Sequence, residues 1–270
     1  MRFISNAVLS CYLSSNPGLT ELEIEDSPGV TELPELPDSI TELSVKNCPN
    51  VRRLPVLPRS LKKLTVADCP LLKMLRRLPR SLEHLFLSNC IGIKRLPNLP
   101  SGVSFLWIIN CPGIDHLPRL SRSLKTLWVR DCGGLTSLPS LPSSLRALRV
   151  SGIAMLSLPI LPHSLRCLAI LNCLQIGALP LLPEGLTNLE VVDCPEVKAL
   201  PEFPRSLSEL QVEGLPIEAL PALPESLYAF GLIRCPLIAS LPTLPGSLED
   251  ILVQDCAALQ KSHITVWLFR

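Results

Sequence analysis

The stretch Leu54-Pro55-Val56-Leu57-Pro58-Arg59-Ser60-Leu61-Lys62-Lys63-Leu64-Thr65-Val66-Ala67-Asp68-Cys69-Pro70-Leu71-Leu72 decides the fold. Leu64-Thr65-Val66 alternates apolar, polar, apolar, the period of a strand with one buried face. Each proline fixes φ and removes a backbone donor, which excludes helix ahead of the strand. Asp68 followed by Cys-Pro is turn chemistry. Outward from this stretch the unit recurs. Leu-Pro opens a copy at Leu33, Leu54, Leu96, Leu117, Leu138, Leu158, Leu179, Leu200, Leu220 and Leu241, and Leu75 keeps the phase without its proline. The step is 21 residues, shortened to 20 from Leu138 to Leu158 and from Leu200 to Leu220.

Self-similarity at this period marks a solenoid, because one unit cannot bury its own apolar row and must borrow a neighbour. The second half of the unit matches the leucine-rich-repeat pattern L-x-x-L-x-L-x-x-N/C-x-L. The expected fold is a leucine-rich-repeat solenoid of about twelve repeats. It should carry a parallel β-sheet on its concave face, an extended Pro-rich convex side and little helix. One domain is expected over 1–270: a partial repeat at 1–11, regular repeats at 12–261 and a closing segment at 262–270. Leu61, Leu64, Val66, Cys69 and Leu72 should form inward columns. In the partial repeat Phe3, Asn6 and Leu9 hold the phase of Val66, Cys69 and Leu72. Sheet edges at Phe3 and Ile264–Phe269 without a polar cap would invite end-to-end self-association.

Composition removes other classes. The chain is 47% hydrophobic with mean hydropathy +0.36, yet Pro, Ser or a charge interrupts every apolar run well short of the ~18 residues a membrane helix needs. Met1 to Cys11 is too short and polar for a secretory core. Nine of the eleven cysteines (Cys48, Cys69, Cys90, Cys111, Cys132, Cys173, Cys194, Cys235, Cys256) share one repeat position, and no Cys-x-x-Cys exists. Metal spacing is therefore absent. Buried free thiols donating to turn carbonyls, in a reducing compartment, are expected instead. Cys167 should flank a strand, exposed or nearly so. The column before the cysteines (Asp26, Asn47, Asp68, Asn89, Asn110, Asp131, Asn172, Asp193, Asp255) reads as turn-forming Asx residues. The serine column (Ser39, Ser60, Ser81, Ser123, Ser144, Ser164, Ser206, Ser226, Ser247) has no recurring His and acid beside it. Neither an enzyme nor a cofactor, metal or small-molecule substrate is predicted.

The Leu-Pro-x-Leu-Pro-x-Ser-Leu-x-x-Leu-x-Val pattern resembles the YopM/IpaH-type repeats of bacterial type-III-secreted effectors over nearly the whole chain. Two features depart from that family. Cys-Pro stands where its members usually carry Asn, which is similar to the terminal repeats of plant NLR immune receptors, and the family's N-terminal helical pair is missing. The resemblance implies a virulence-type scaffold that binds a host protein, delivered to the host cytoplasm without a cleavable signal peptide. Ligase activity does not carry over. That chemistry uses Cys-x-Asp on a separate domain, and none of the cysteines here is followed by Asp two residues later.

Candidate binding residues are those that face solvent and differ among repeats. The exposed mid-strand position runs Glu23, Ser44, Thr65, Phe86, Trp107, Trp128, Arg149, Ala169, Glu190, Gln211, Gly231, Leu252. Three consecutive large rings, in a chain only 4% aromatic, single out a concave patch. Phe86, Trp107 and Trp128 form its centre, with Phe105, Ile109, Arg130, Arg149, His84 and Lys63 around it. Offset stacking is expected between the rings, and a cation–π contact from Arg149 to Trp128. Charge is segregated: residues 51–130 carry 15 basic and 3 acidic side chains, residues 1–50 carry 2 and 8, and residues 179–270 carry 5 and 12. The leading reading is a protein-binding scaffold whose partner carries an acidic patch. The recognition arm of a larger ubiquitin ligase or immune-type receptor is one alternative. A nucleic-acid or anionic-membrane binder using the basic 51–130 segment is another; for nucleic acid the acidic flanks interrupt the track that stacked bases require.

Overall fold

The computed structural model describes residues 1–259. They fall into two compact units, Met1–Pro142 and a second beginning at Ser143. The first contains α1 (Asn6–Ser15), β1 (Glu21–Glu25), β2 (Glu42–Lys46), β3 (Lys63–Ala67), β4 (His84–Ser88), β5 (Phe105–Ile109) and β6 (Thr126–Arg130). The second contains β7 (Ala147–Ser151), β8 (Cys167–Leu171), β9 (Asn188–Val192), β10 (Glu209–Glu213), β11 (Ala229–Ile233) and β12 (Asp250–Gln254). Within each unit the strands pair in parallel and in sequence order. Equivalent residues are level, as in Leu43↔Leu64, Leu64↔Leu85 and Leu85↔Leu106.

The 21-residue step explains this register. Strands one step apart place the same side chain on the same level, so each leucine column packs on itself. Leu61, Leu64, Val66, Cys69 and Leu72 are all 0% exposed, as the apolar pattern requires. Two tight turns shape the 21-residue repeats, and the one after the strand is missing after β7 and β10, where the step shortens to 20. The Leu72 N–H donates to the Cys69 carbonyl (3.2 Å) after the strand, and the Leu61 N–H to that of Pro58 (3.2 Å) before it. Between them the Leu-Pro-x-Leu-Pro segment forms neither helix nor strand. The serine column pins one repeat to the previous one: Ser60 Oγ donates to the Ile40 carbonyl (2.6 Å) and Ser81 Oγ to that of Leu61 (2.7 Å).

The cysteine column is built as expected, with eight free thiols buried and Cys167 exposed. Cys69 Sγ donates to the carbonyl of Ala67 (3.3 Å) and reaches that of Val45, one repeat back (3.9 Å). Cys256 departs from the column, being only half-buried, because no later described repeat packs on it. The Asx column is a turn column for a different reason from the one expected. Every member sits in the left-handed region, from φ 47° at Asn47 to 56° at Asp255. That conformation suits Asn and Asp among residues with a Cβ. Their side chains then bond along the column, Asn47 to Asp26 and Asn89 to Asp68, both at 2.6 Å. Where Asx is lacking, glycine takes the left-handed place at Gly152 and Gly214, and Arg234 takes it at φ 51°.

The N-terminus differs from an extended partial repeat. Residues 6–15 form α1, because no proline interrupts them and Ser5 accepts a hydrogen bond from the Val8 N–H (3.4 Å) as N-cap. Phe3 and Leu9 are buried in the expected phase, and Leu13 joins them. The Met1 carbonyl accepts from the Glu25 N–H (2.7 Å), and the Phe3 N–H donates to Ser27 Oγ (2.8 Å). The β1 edge expected to be bare is thus partly occupied. The closing edge expected at Ile264–Phe269 lies outside the described residues. Among the described residues no helix is long and apolar enough to cross a membrane.

Candidate functional site

On the solvent face of β4, β5 and β6, strand periodicity carries Phe86, Trp107 and Trp128 outward while Leu85, Leu106 and Leu127 fill the core. Level pairing puts Phe86 beside Trp107 and Trp107 beside Trp128. The rings meet edge to face rather than in the offset stack expected. Phe86 and Trp107 are 5.8 Å apart at 72°, Trp107 and Trp128 5.2 Å apart at 69°. Each ring turns its edge into its neighbour's face, a geometry that aromatic pairs one strand spacing apart favour as much as an offset stack. A second pair, His84 and Phe105, does stack, at 4.6 Å and 6°. Trp107 is the most open ring of the centre at 36% exposure, while Phe86, Phe105, Ile109, Trp128 and His84 are half-buried.

The charged candidates are engaged locally. Arg130 Nε donates to the Asp131 carboxylate at 3.0 Å. Lys63, on the face of β3, pairs with Glu42 at 3.0 Å. Arg149, on β7 of the second unit, spans the small Ala169 position to reach Glu190 at 3.4 Å, so its guanidinium meets a carboxylate on its own unit. The first unit's face therefore brings together one ring cluster with Ile109 and Arg130 at its side. Lys63 lies beyond it toward the acidic strands.

Sequence reasoning missed a shallow depression of about 330 Å³ over β1–β3, bordered by Met1, Glu21, Glu23, Glu42 and Lys46. The alternating acids of Glu21-Leu-Glu-Ile-Glu25 were its visible signal. Its charge is largely answered from within. Lys46 Nζ donates to Glu23 at 2.9 Å, holding that carboxyl below the usual carboxylate range and the ammonium above its own. The Met1 ammonium donates to the Glu23 carbonyl at 2.9 Å. Across the described residues no group of three His, Cys, Asp or Glu side chains is disposed to hold a metal.

Level parallel strands, a thiol-and-Asx turn column and a proline-rich return define a leucine-rich-repeat solenoid. Solved structures agree. The chain is similar to YopM from Yersinia enterocolitica WA-314, with 26% identity and a TM-score of 0.62 over 85% of this chain and 55% of that one. It is also similar to YopM from Yersinia pestis, a leucine-rich effector protein (24% identity, TM-score 0.50, 92% of this chain and 93% of that one). CroV588, a circular leucine-rich-repeat protein, shares the fold at 22% identity and a TM-score of 0.57 over 94% of this chain and 41% of that one. The chain thus spans a little over half the length of the Y. enterocolitica YopM structure. No protein-family model and no curated protein sequence matches it.

Proposed function

We propose that this chain is a protein-interaction scaffold of the bacterial effector kind, engaging a host protein through the ring cluster on β4–β6. One observation carries the reading: Phe86, Trp107 and Trp128 form a continuous edge-to-face series on the solvent side of the sheet, with Trp107 open at its centre. Large rings beside an arginine are the composition of interaction hot spots, and a soluble surface rarely leaves such a cluster uncovered without use. The fold's likeness to YopM supports the effector class. The leucine column behind the rings holds the platform rigid, which lowers the ordering cost of binding.

The test is affinity capture from host-cell extract with the intact chain, Trp107→Phe and Trp107→Ala, all verified as folded by circular dichroism. A true partner is retained largely by Trp107→Phe and weakened about 30-fold by Trp107→Ala, the equivalent of ~2 kcal/mol at a hot spot. A partner captured equally well by the intact chain and Trp107→Ala places the interface elsewhere and defeats the proposal.

A further inference from the structure

Most basic residues of 51–130 lie off the strands, Lys63 and Arg130 excepted. The larger part gathers on the turns and return segments that follow β2, β3 and β4. Arg52, Lys73 and Lys94 occupy one repeat position on three successive repeats, all exposed, at the strand spacing of ~4.8 Å. Arg95 adds a fourth charge beside Lys94. Among the described residues none of these four has an ion pair, whereas Arg53 in the same strip is answered by Glu32 at 2.6 Å. Asp68, the carboxylate nearest in sequence to Lys73, is bonded by Asn89. Apolar side chains stand among the cations: Leu71 is 40% exposed, Ile91 54% and Met74 60%. The same repeat breaks the pattern by carrying Arg76 where its neighbours carry proline.

We infer that this edge of the Met1–Pro142 unit is a docking surface for an anionic lipid membrane. The chemistry distinguishes a bilayer from other polyanions. Cations near a charged leaflet gain from its surface potential, and unbranched or branched apolar tips enter the headgroup boundary beside them. A nucleic acid offers phosphates but no apolar layer for Leu71, Met74 and Ile91. Its bases would require stacking rings, and the segments 52–59, 73–80 and 94–101 contain no aromatic residue. This surface is separate from the ring cluster, so binding here leaves the sheet face free for a protein partner.

Vesicle co-sedimentation with the full chain tests the inference. The probes are phosphatidylcholine vesicles with and without about 30 mol% phosphatidylserine, with single-stranded RNA as competitor. The chain should bind only the phosphatidylserine vesicles, more weakly as salt rises. Lys73→Gln with Lys94→Gln should cut partitioning about 25-fold, near fivefold for each cation removed. Met74→Ser with Ile91→Ser should cut it at least about tenfold without changing the charge. Thermal melts confirm that these exposed substitutions leave the fold intact. Trp107→Ala should leave vesicle binding unchanged, so failure here is distinguishable from failure of the ring cluster. Equal binding to neutral vesicles, indifference to Met74→Ser with Ile91→Ser, or displacement by RNA at equal phosphate concentration would each overturn the inference.

Discussion

Alkylation of the native chain at pH 8 should divide its eleven cysteines into three kinetic groups. Cys11 and Cys167 are exposed, Cys256 is half-buried and the other eight are buried. Burial pushes the Cys69 and Cys132 thiols up to about 12 from 9.0. At pH 8 each then presents about a thousandth of the thiolate of an unshifted thiol, before the cost of opening the repeat is counted. In the Cys90–Cys111 pair the hydrogen bond between the thiols lowers Cys111 and raises Cys90. Cys111 nevertheless stays unreactive because it is 0% exposed. Burial also raises Cys167, which slows its modification although its side chain is exposed. Intact-mass spectrometry should show two fast additions, a slower third, and the remaining eight only in denaturant, without reductant. More than three additions to the native chain would refute the buried column. Fewer than eleven in denaturant would reveal disulfides and an oxidising origin.

Three further outcomes follow from particular contacts. Stability should hold below about pH 9 and fall between 9 and 12. In that window the Cys69 and Cys132 thiols stay protonated in the folded chain but ionise when unfolded. The loss is about 2–3 kcal/mol for each at pH 11; urea midpoints that stay flat to pH 11 would contradict it. Gly214→Ala should cost about 1–2 kcal/mol for a left-handed residue, here at φ +63°, plus displacement of Asp193, whose Oδ1 would lie 2.1 Å from the new Cβ. That displacement also loosens Arg234, which bonds Asp193 at 3.0 Å, so a urea midpoint shift below the backbone cost would refute the account. Trp107→Ala removes two edge-to-face contacts and should destabilise the chain by about 1–3 kcal/mol. An unchanged melt would show that the rings sit side by side without supporting one another.

Residue spacing alone determined the repeat, the strands and the buried columns. A 21-residue step places identical side chains at identical levels, and apolar alternation permits only one burial face. The thiol column was legible for the same reason, since Cys48 through Cys235 recur at one repeat position, three residues after the inward Val45 and its equivalents. The ring cluster at Phe86, Trp107 and Trp128 could be located in sequence, but not its edge-to-face geometry. Ring torsions answer to a neighbour a full repeat away, and no local signal encodes them. Only the tertiary structure assigned Glu42 to its level partner Lys63 on the next strand, and Glu190 to Arg149 across the small Ala169 between them. It likewise turned residues 6–15 into α1 against the first repeat, a choice made by the buried Phe3, Leu9 and Leu13 rather than by helix propensity. The Asx column needed coordinates as well. Sequence identified it as turn chemistry, but the left-handed backbone and the bonds from Asn47 to Asp26 and Asn89 to Asp68 exist only once repeats are stacked.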